Sequence, residues 1–207
     1  MSGEQSVQSV DFAKGEGLVP VIVQDTDTAQ VLMLGYMNAA ALEQTLASGR
    51  VTFFSRSKQR LWTKGESSGD YLSLVSWQLD CDQDTILILA RPAGPTCHTG
   101  STTCWGEWTG PALSFVGRLE RLIGERERLR PEGSYTTRLF ESGIRKIAQK
   151  VGEEGVEVAL AAVAQDDAEL LNETADLLFH TLVALRARGL SIEQVANILA
   201  QRHSESK

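Results

Sequence analysis

Cysteine and histidine are scarce in this 207-residue chain, with three of each. Three thiols cannot all pair, so a disulfide framework is excluded as the organising device, and a reducing compartment, the cytoplasm, is the expected location. Positive charge is also in deficit. Twenty Lys and Arg against 27 Asp and Glu leave a net charge of -7, which argues against a nucleic-acid partner and suits cation binding. No apolar run is long enough to span a bilayer, and Met1 to Asp11 lacks the basic-then-apolar order of a secretory leader. Neither membrane insertion nor export is expected.

What remains is concentrated. The run Asp80-Cys81-Asp82-Gln83-Asp84 holds one of the three thiols among three carboxylates. If the run is extended, the carboxylates at alternate positions share one face and Cys81 faces away. Three like charges side by side repel, and a cation between them relieves the repulsion. An apolar strand-like run, Ile86 to Ala90, then breaks at Arg91-Pro92-Ala93-Gly94-Pro95 and leads into a polar loop carrying Cys97, His98 and Cys104. Oxygen donors suit magnesium and thiolates suit zinc, so two metals of different character are expected. Plainer roles fit the same residues: a solvated turn for the aspartates, small buried apolar residues for the cysteines.

The two halves differ in pattern. Leu18–Val23, Val31–Tyr36, Val51–Ser55, Tyr71–Leu79 and Thr85–Ala90 read as strands, with one helix after the cap Asn38 that ends near Gly49. From Pro111 the spacing turns helical, with segments from Thr137 to Ala164, Asp167 to Arg188 and Ser191 to Arg202; Ser191 and Gln194 form a capping box. The composition shift at Gly106–Pro111 marks a linker. The expected organisation is a mostly β (α+β) domain over residues 1–107, a linker over 108–112 and an all-α helical bundle over 113–207.

The helical half carries its own charges. Lys146, Lys150, Glu153, Glu154 and Glu157 fall on one helix stripe, and Glu173, Asp176 and His180 on the next. Facing helices would bring Glu154, Glu157, Glu173 and Asp176 together as an oxygen-rich cation site. A solvated charged face is the plainer alternative. Val156, Leu160 and Val163 on one helix and Leu170, Leu177 and Ala184 on the other offer apolar faces for bundle packing.

With these motifs in view, the first half resembles phosphoribosyl-AMP cyclohydrolase, in Ser55-Arg56-Ser57, in Leu61 to Gly69, in Asp80 to Asp84, and in Pro95 to Gly100 with Cys104. The second half resembles phosphoribosyl-ATP pyrophosphohydrolase, in Ser134-Tyr135-Thr136, Leu139 to Gly143, Lys150 to Glu157 and Glu173 to His180. Together they resemble the bifunctional histidine-biosynthesis enzyme, over nearly the whole chain past about residue 18.

The resemblance implies two consecutive hydrolyses of small nucleotide substrates. Phosphoribosyl-ATP would lose pyrophosphate in the helical domain, of the nucleotide pyrophosphohydrolase type. There Glu153, Glu154, Glu157, Glu173 and Asp176 are the candidate catalytic carboxylates, Glu154, Glu157, Glu173 and Asp176 the magnesium ligands, and Lys146 and Lys150 phosphate holders. Phosphoribosyl-AMP would then be opened at N1–C6 of its adenine ring in the β domain. Cys81, Cys97 and Cys104 would hold a zinc ion with one position open for water, His98 would carry a proton, and Asp80, Asp82 and Asp84 would hold magnesium. Arg56, Trp62, Lys64 and Gly65 would contact substrate. For His98 a backbone-bonded loop role, and for His180 a packing role, stay open. Because an extended run would turn Cys81 from its aspartates, and because the resembled cyclohydrolases are dimeric, a homodimer with intersubunit zinc sites is expected. Two other classes fit the residues: a nucleotide-housekeeping pyrophosphohydrolase with a structural zinc module, and a non-catalytic metal-dependent interaction protein.

Overall fold

A computed structural model describes residues 6–106 and 110–204, which divide into two compact units, Met1–Phe115 and Val116–Lys207. Glu107, Trp108 and Thr109, within the Gly106–Pro111 composition shift, lie outside the described residues.

The first unit is built on a four-stranded sheet in the order β2-β1-β6-β5, with a separate hairpin of β3 and β4. The strands are β1 (Val19–Asp25), β2 (Val31–Met37), β3 (Thr52–Ser55), β4 (Arg60–Thr63), β5 (Leu72–Leu79) and β6 (Ile86–Pro92). Every second residue of β1 is buried, Val19, Val21 and Val23 among them, as a strand with one face on the core requires. β1 runs antiparallel to β2 and parallel to β6. The helix α1 (Ala39–Ser48) starts where Asn38 accepts the Ala41 N–H at 2.9 Å. Its Thr45 hydroxyl donates to the Ala41 carbonyl at 2.8 Å and accepts the Thr52 N–H at 2.9 Å, fixing α1 to β3 in the buried interior.

Three expectations change. β4 was not expected as a strand, yet Arg60–Thr63 pairs residue for residue with β3. β6 continues past Ala90: Arg91 pairs with Ser73 and Pro92 with Leu72. Proline is tolerated there because it closes the strand and no ladder donor is needed beyond it. Most consequential, residues 80–84 form a turn and not an extended run.

The second unit holds α2 (Ser114–Leu129), α3 (Tyr135–Ala164), α4 (Asp167–Ala187) and α5 (Ile192–Ser204). Ser134 caps α3 by accepting the Thr137 N–H, and Asp166 caps α4 by accepting the Glu169 N–H at 2.9 Å. Ser191 and Gln194 exchange hydrogen bonds in the reciprocal capping box. α3 is interrupted at Gly143, whose φ of 78° is left-handed backbone that a side chain disfavours. The core joins Ile123, Leu139, Ile147, Leu182 and Val183. The face of Val156, Leu160 and Val163 is not part of it: these side chains are 60%, 54% and 82% exposed. Helical spacing marks a face as apolar without saying what covers it, and within the described residues of one chain nothing does.

Candidate active sites

In the first unit, the turn after β5 gathers the three aspartates by curling and not by strand alternation. Asp80 Oδ1 accepts the N–H groups of Asp84 and Thr85, each at 3.1 Å, and Gln83 adopts a positive φ of 66°. The chain thereby curls, and single oxygens of Asp80, Asp82 and Asp84 come within 4.8 Å of one another. Burial opposes ionisation of Asp80, but donation from the Thr85 and Asp84 backbone outweighs it and lowers its pKa. Three carboxylates converging within this distance form a donor set that fits a hard divalent cation such as magnesium. Cys81 is exposed on the same turn, its Sγ 4.0 Å from Asp82 Oδ1.

Cys97, His98 and Cys104 lie elsewhere in the unit, on the wall of a cavity of about 450 Å³ that Trp62, Lys64 and Gly65 also line. The Thr99 hydroxyl donates to Cys97 Sγ at 3.2 Å, and His98 Nδ1 lies 3.8 Å from the same sulfur. Thr99, through its hydroxyl and then its N–H, lowers the Cys97 pKa to about 6, with Ser101 and His98 adding to the effect against burial. Burial, and then the neighbouring Cys97 sulfur, raises that of Cys104. The loop is anchored to the sheet by the Cys104 N–H, which donates to the Leu32 carbonyl of β2 at 2.8 Å. Two thiols and an imidazole therefore line this cavity without Cys81.

Lys64 is buried, its ammonium donating to the Asp70 carbonyl at 3.0 Å and the Pro95 carbonyl at 3.5 Å. Gly65 has a φ of +89°, and a Cβ there would lie 2.5 Å from the Asp70 backbone. Only glycine fits that crossing. Trp62 stacks on Phe53 with ring centroids 5.6 Å apart. Arg56 is exposed, and its guanidinium covers the Tyr36 ring at 3.8 Å, a cation–π contact. It is not among the residues lining this cavity.

In the second unit, oxygens of Glu154, Glu157 and Glu173 lie within 4.8 Å of one another, joining α3 to α4. Glu154 is almost fully buried. Lys150 reaches its Oε1 at 2.7 Å and Glu153 Oε2 at 2.9 Å, which lowers both carboxyl pKa values and raises that of Lys150. Burial, then the charges of Glu157, Glu169 and Glu154, raises Glu173. Glu153 also accepts from Gln149 at 2.6 Å, and Gln149 accepts from Lys146 at 3.2 Å. Neither Glu153 nor the exposed Asp176 belongs to the converging group. His180 is buried: Nδ1 donates to the Asp176 carbonyl at 3.0 Å and lies 3.6 Å from Glu154 Oε1, while Nε2 shares a 3.0 Å hydrogen bond with the Tyr135 hydroxyl. Two contacts carried no sequence signal: Tyr135 on His180, and Lys14 on the aspartate turn.

The family model described as phosphoribosyl-AMP cyclohydrolase matches residues 33–106, and that described as phosphoribosyl-ATP pyrophosphohydrolase matches residues 116–203. A relative from Xanthomonas axonopodis pv. citri, named histidine biosynthesis bifunctional protein HisIE, is 64% identical over 195 residues, covering 94% of this chain and 93% of its own. Relatives of the same name from Escherichia coli and Bacteroides thetaiotaomicron are 54% and 53% identical, over 98% and 95% of this chain and 100% and 97% of theirs.

Proposed function

The chain belongs to the family of bifunctional histidine-biosynthesis enzymes that combine phosphoribosyl-AMP cyclohydrolase with phosphoribosyl-ATP pyrophosphohydrolase, and from that premise we propose where each hydrolysis takes place and which residues serve it. The observation that carries the reading is the cavity that sets Cys97, Cys104, His98 and Lys64 on one wall.

Residues 113–207 remove pyrophosphate from phosphoribosyl-ATP, with water cleaving the link between the α- and β-phosphates. Glu154, Glu157 and Glu173 offer a donor set that fits magnesium; when bound, divalent ions neutralise the triphosphate and acidify water. Glu153 and Asp176, outside that group, are the carboxylates available to take the proton of the attacking water. Lys146 and Lys150 supply positive charge along the same helix face for phosphate oxygens.

Residues 1–107 then open the adenine ring: a water oxygen bonds to C6, the N1–C6 bond breaks, and N1 takes a proton. The thiols fit zinc, which when bound supplies hydroxide at neutral pH. His98, exposed beside Cys97, carries the proton. Trp62 and Gly65 receive the base or phosphate, with Lys64 holding the loop between them. Arg56 serves from outside this cavity, and Asp80, Asp82 and Asp84 hold magnesium for the substrate phosphate. Cys81 is not among the described residues that line the cavity holding Cys97 and Cys104. This supports a homodimer in which Cys81 of one chain completes the thiol set of the other. Residues 80–84 form a turn, so the arrangement rests on the cavity lining and not on an extended run. No helix among the described residues is long and apolar enough to cross a membrane, and a cytoplasmic enzyme acting on free nucleotides fits.

Purified protein incubated with phosphoribosyl-ATP, followed for pyrophosphate and for the ultraviolet change on ring opening, tests the division of labour. Cys97→Ser should release pyrophosphate at the normal rate and lose ring opening at least about a hundredfold. Glu154→Gln should show the converse when each substrate is supplied separately. Loss of both activities in either variant, with folding intact, contradicts it.

A further inference from the structure

Lys14 belongs to an N-terminal stretch with no sequence signal, yet it is seated on the aspartate turn. Its ammonium lies 3.0 Å from Asp82 Oδ2 and 3.6 Å from Asp84 Oδ2, and it donates to the Asp82 carbonyl at 2.8 Å. The segment is tied to the turn at a second point, where the Asp11 N–H donates to the Gln83 carbonyl at 2.8 Å. Asp11 Oδ1 in turn accepts the N–H groups of Ala13 and Lys14, at 3.2 and 3.3 Å, which holds the bend that aims Lys14. A cation of this protein's own thus occupies two of the three carboxylates that converge within 4.8 Å.

We propose that Lys14 sets the divalent-cation affinity of the Asp80–Asp84 turn by competing for its carboxylates; the inference rests on the reading that these aspartates hold such an ion. The ammonium is a single charge on a flexible stem, and its side chain is 41% exposed. It can swing into water without disturbing a packed core. A divalent ion brings twice the charge and accepts several oxygens at once, so it displaces the ammonium; a monovalent ion gains too little to do so. Without metal, Lys14 relieves the repulsion among the aspartates and keeps the turn folded. Binding is therefore an exchange, and the turn is selective for double charge.

Isothermal titration of the full-length protein with magnesium chloride at low ionic strength tests this, with Asp82→Asn/Asp84→Asn as the background that isolates the helical site. Lys14→Met should tighten magnesium binding at the turn by roughly three- to tenfold, and Lys14→Arg should restore the weaker affinity. In the unmutated protein, acetylation of Lys14 relative to exposed Lys58, read by mass spectrometry, should rise several-fold on adding magnesium. Equal or weaker binding by Lys14→Met, or acetylation of Lys14 indifferent to magnesium, overturns the proposal while leaving the site reading intact. If the Asn variant binds magnesium as the unmutated protein does, the site reading fails and the proposal with it.

Discussion

Lys150 Nζ lies 2.7 Å from Glu154 Oε1, one helical turn away, and Glu154 is so enclosed between α3 and α4 that its side chain is only 6% exposed. A buried carboxylate is tolerable when a cation accompanies it. Lys150 also holds Glu153, so one ammonium organises two of the candidate catalytic acids.

Lys150→Met should therefore destabilise the metal-free second unit by about 1–3 kcal/mol in urea melts, by leaving Glu154 uncompensated. The pH dependence follows from sign. The Glu154 pKa is lowered in the fold, chiefly by Lys150. Its contribution is present above the unfolded value of about 4.3 and disappears as pH falls through the lower folded value. The unmutated protein should lose this increment on acidification below about pH 4, and Lys150→Met should lose less. Equal acid sensitivity contradicts the pairing.

Cys97 and Cys104 should separate by reactivity once metal is removed. Thiolate is the reactive form, so alkylation of Cys97 by iodoacetamide should rise with pH and reach half its maximal rate at about pH 6. Cys104, raised by burial and by its neighbour, should follow only at higher pH. Peptide mapping after timed alkylation reads both sites. Coincident pH profiles would show that Thr99 does not hold the Cys97 thiolate.

Gly65→Ala tests the loop beside the cavity. At a φ of +89° with the Asp70 backbone 2.5 Å from the added Cβ, the substitution must displace the crossing strands of the loop. A loss of about 1–3 kcal/mol in stability is expected, with a raised KM for phosphoribosyl-AMP as Lys64 shifts from its carbonyl partners. Pyrophosphate release from phosphoribosyl-ATP should be unchanged. An unaltered cyclohydrolase KM contradicts a substrate role for this loop.

Local chemistry made parts of this molecule legible in sequence. Asn38 and the Ser191–Gln194 pair were readable because a cap is satisfied within three residues of itself. The acidic stripe of α3 was readable because helical geometry alone puts Lys150, Glu153 and Glu154 together. Other features depend on distant partners. The aspartates converge through a curl stabilised by Asp80 and a positive φ at Gln83, and glutamine is not a residue whose identity announces that backbone. Arg56 sits in a resembling motif, in the turn after β3, yet its neighbour is Tyr36 of β2. Val156, Leu160 and Val163 have the periodicity of a packed face, and periodicity does not say which molecule packs on it. Lys14 meets Asp82 across 68 residues, beyond any local pattern.

The intersubunit thiol site is tested most directly by subunit complementation. Cys81→Ser and Cys97→Ser/Cys104→Ser chains, each inactive in ring opening alone, are co-expressed and the mixed protein assayed for zinc and for phosphoribosyl-AMP opening. In a mixed dimer one site draws every thiol from intact positions, so random pairing should restore about a quarter of the unmutated zinc content and activity. No recovery of either, with mixed dimers shown to form, would contradict a site shared between chains.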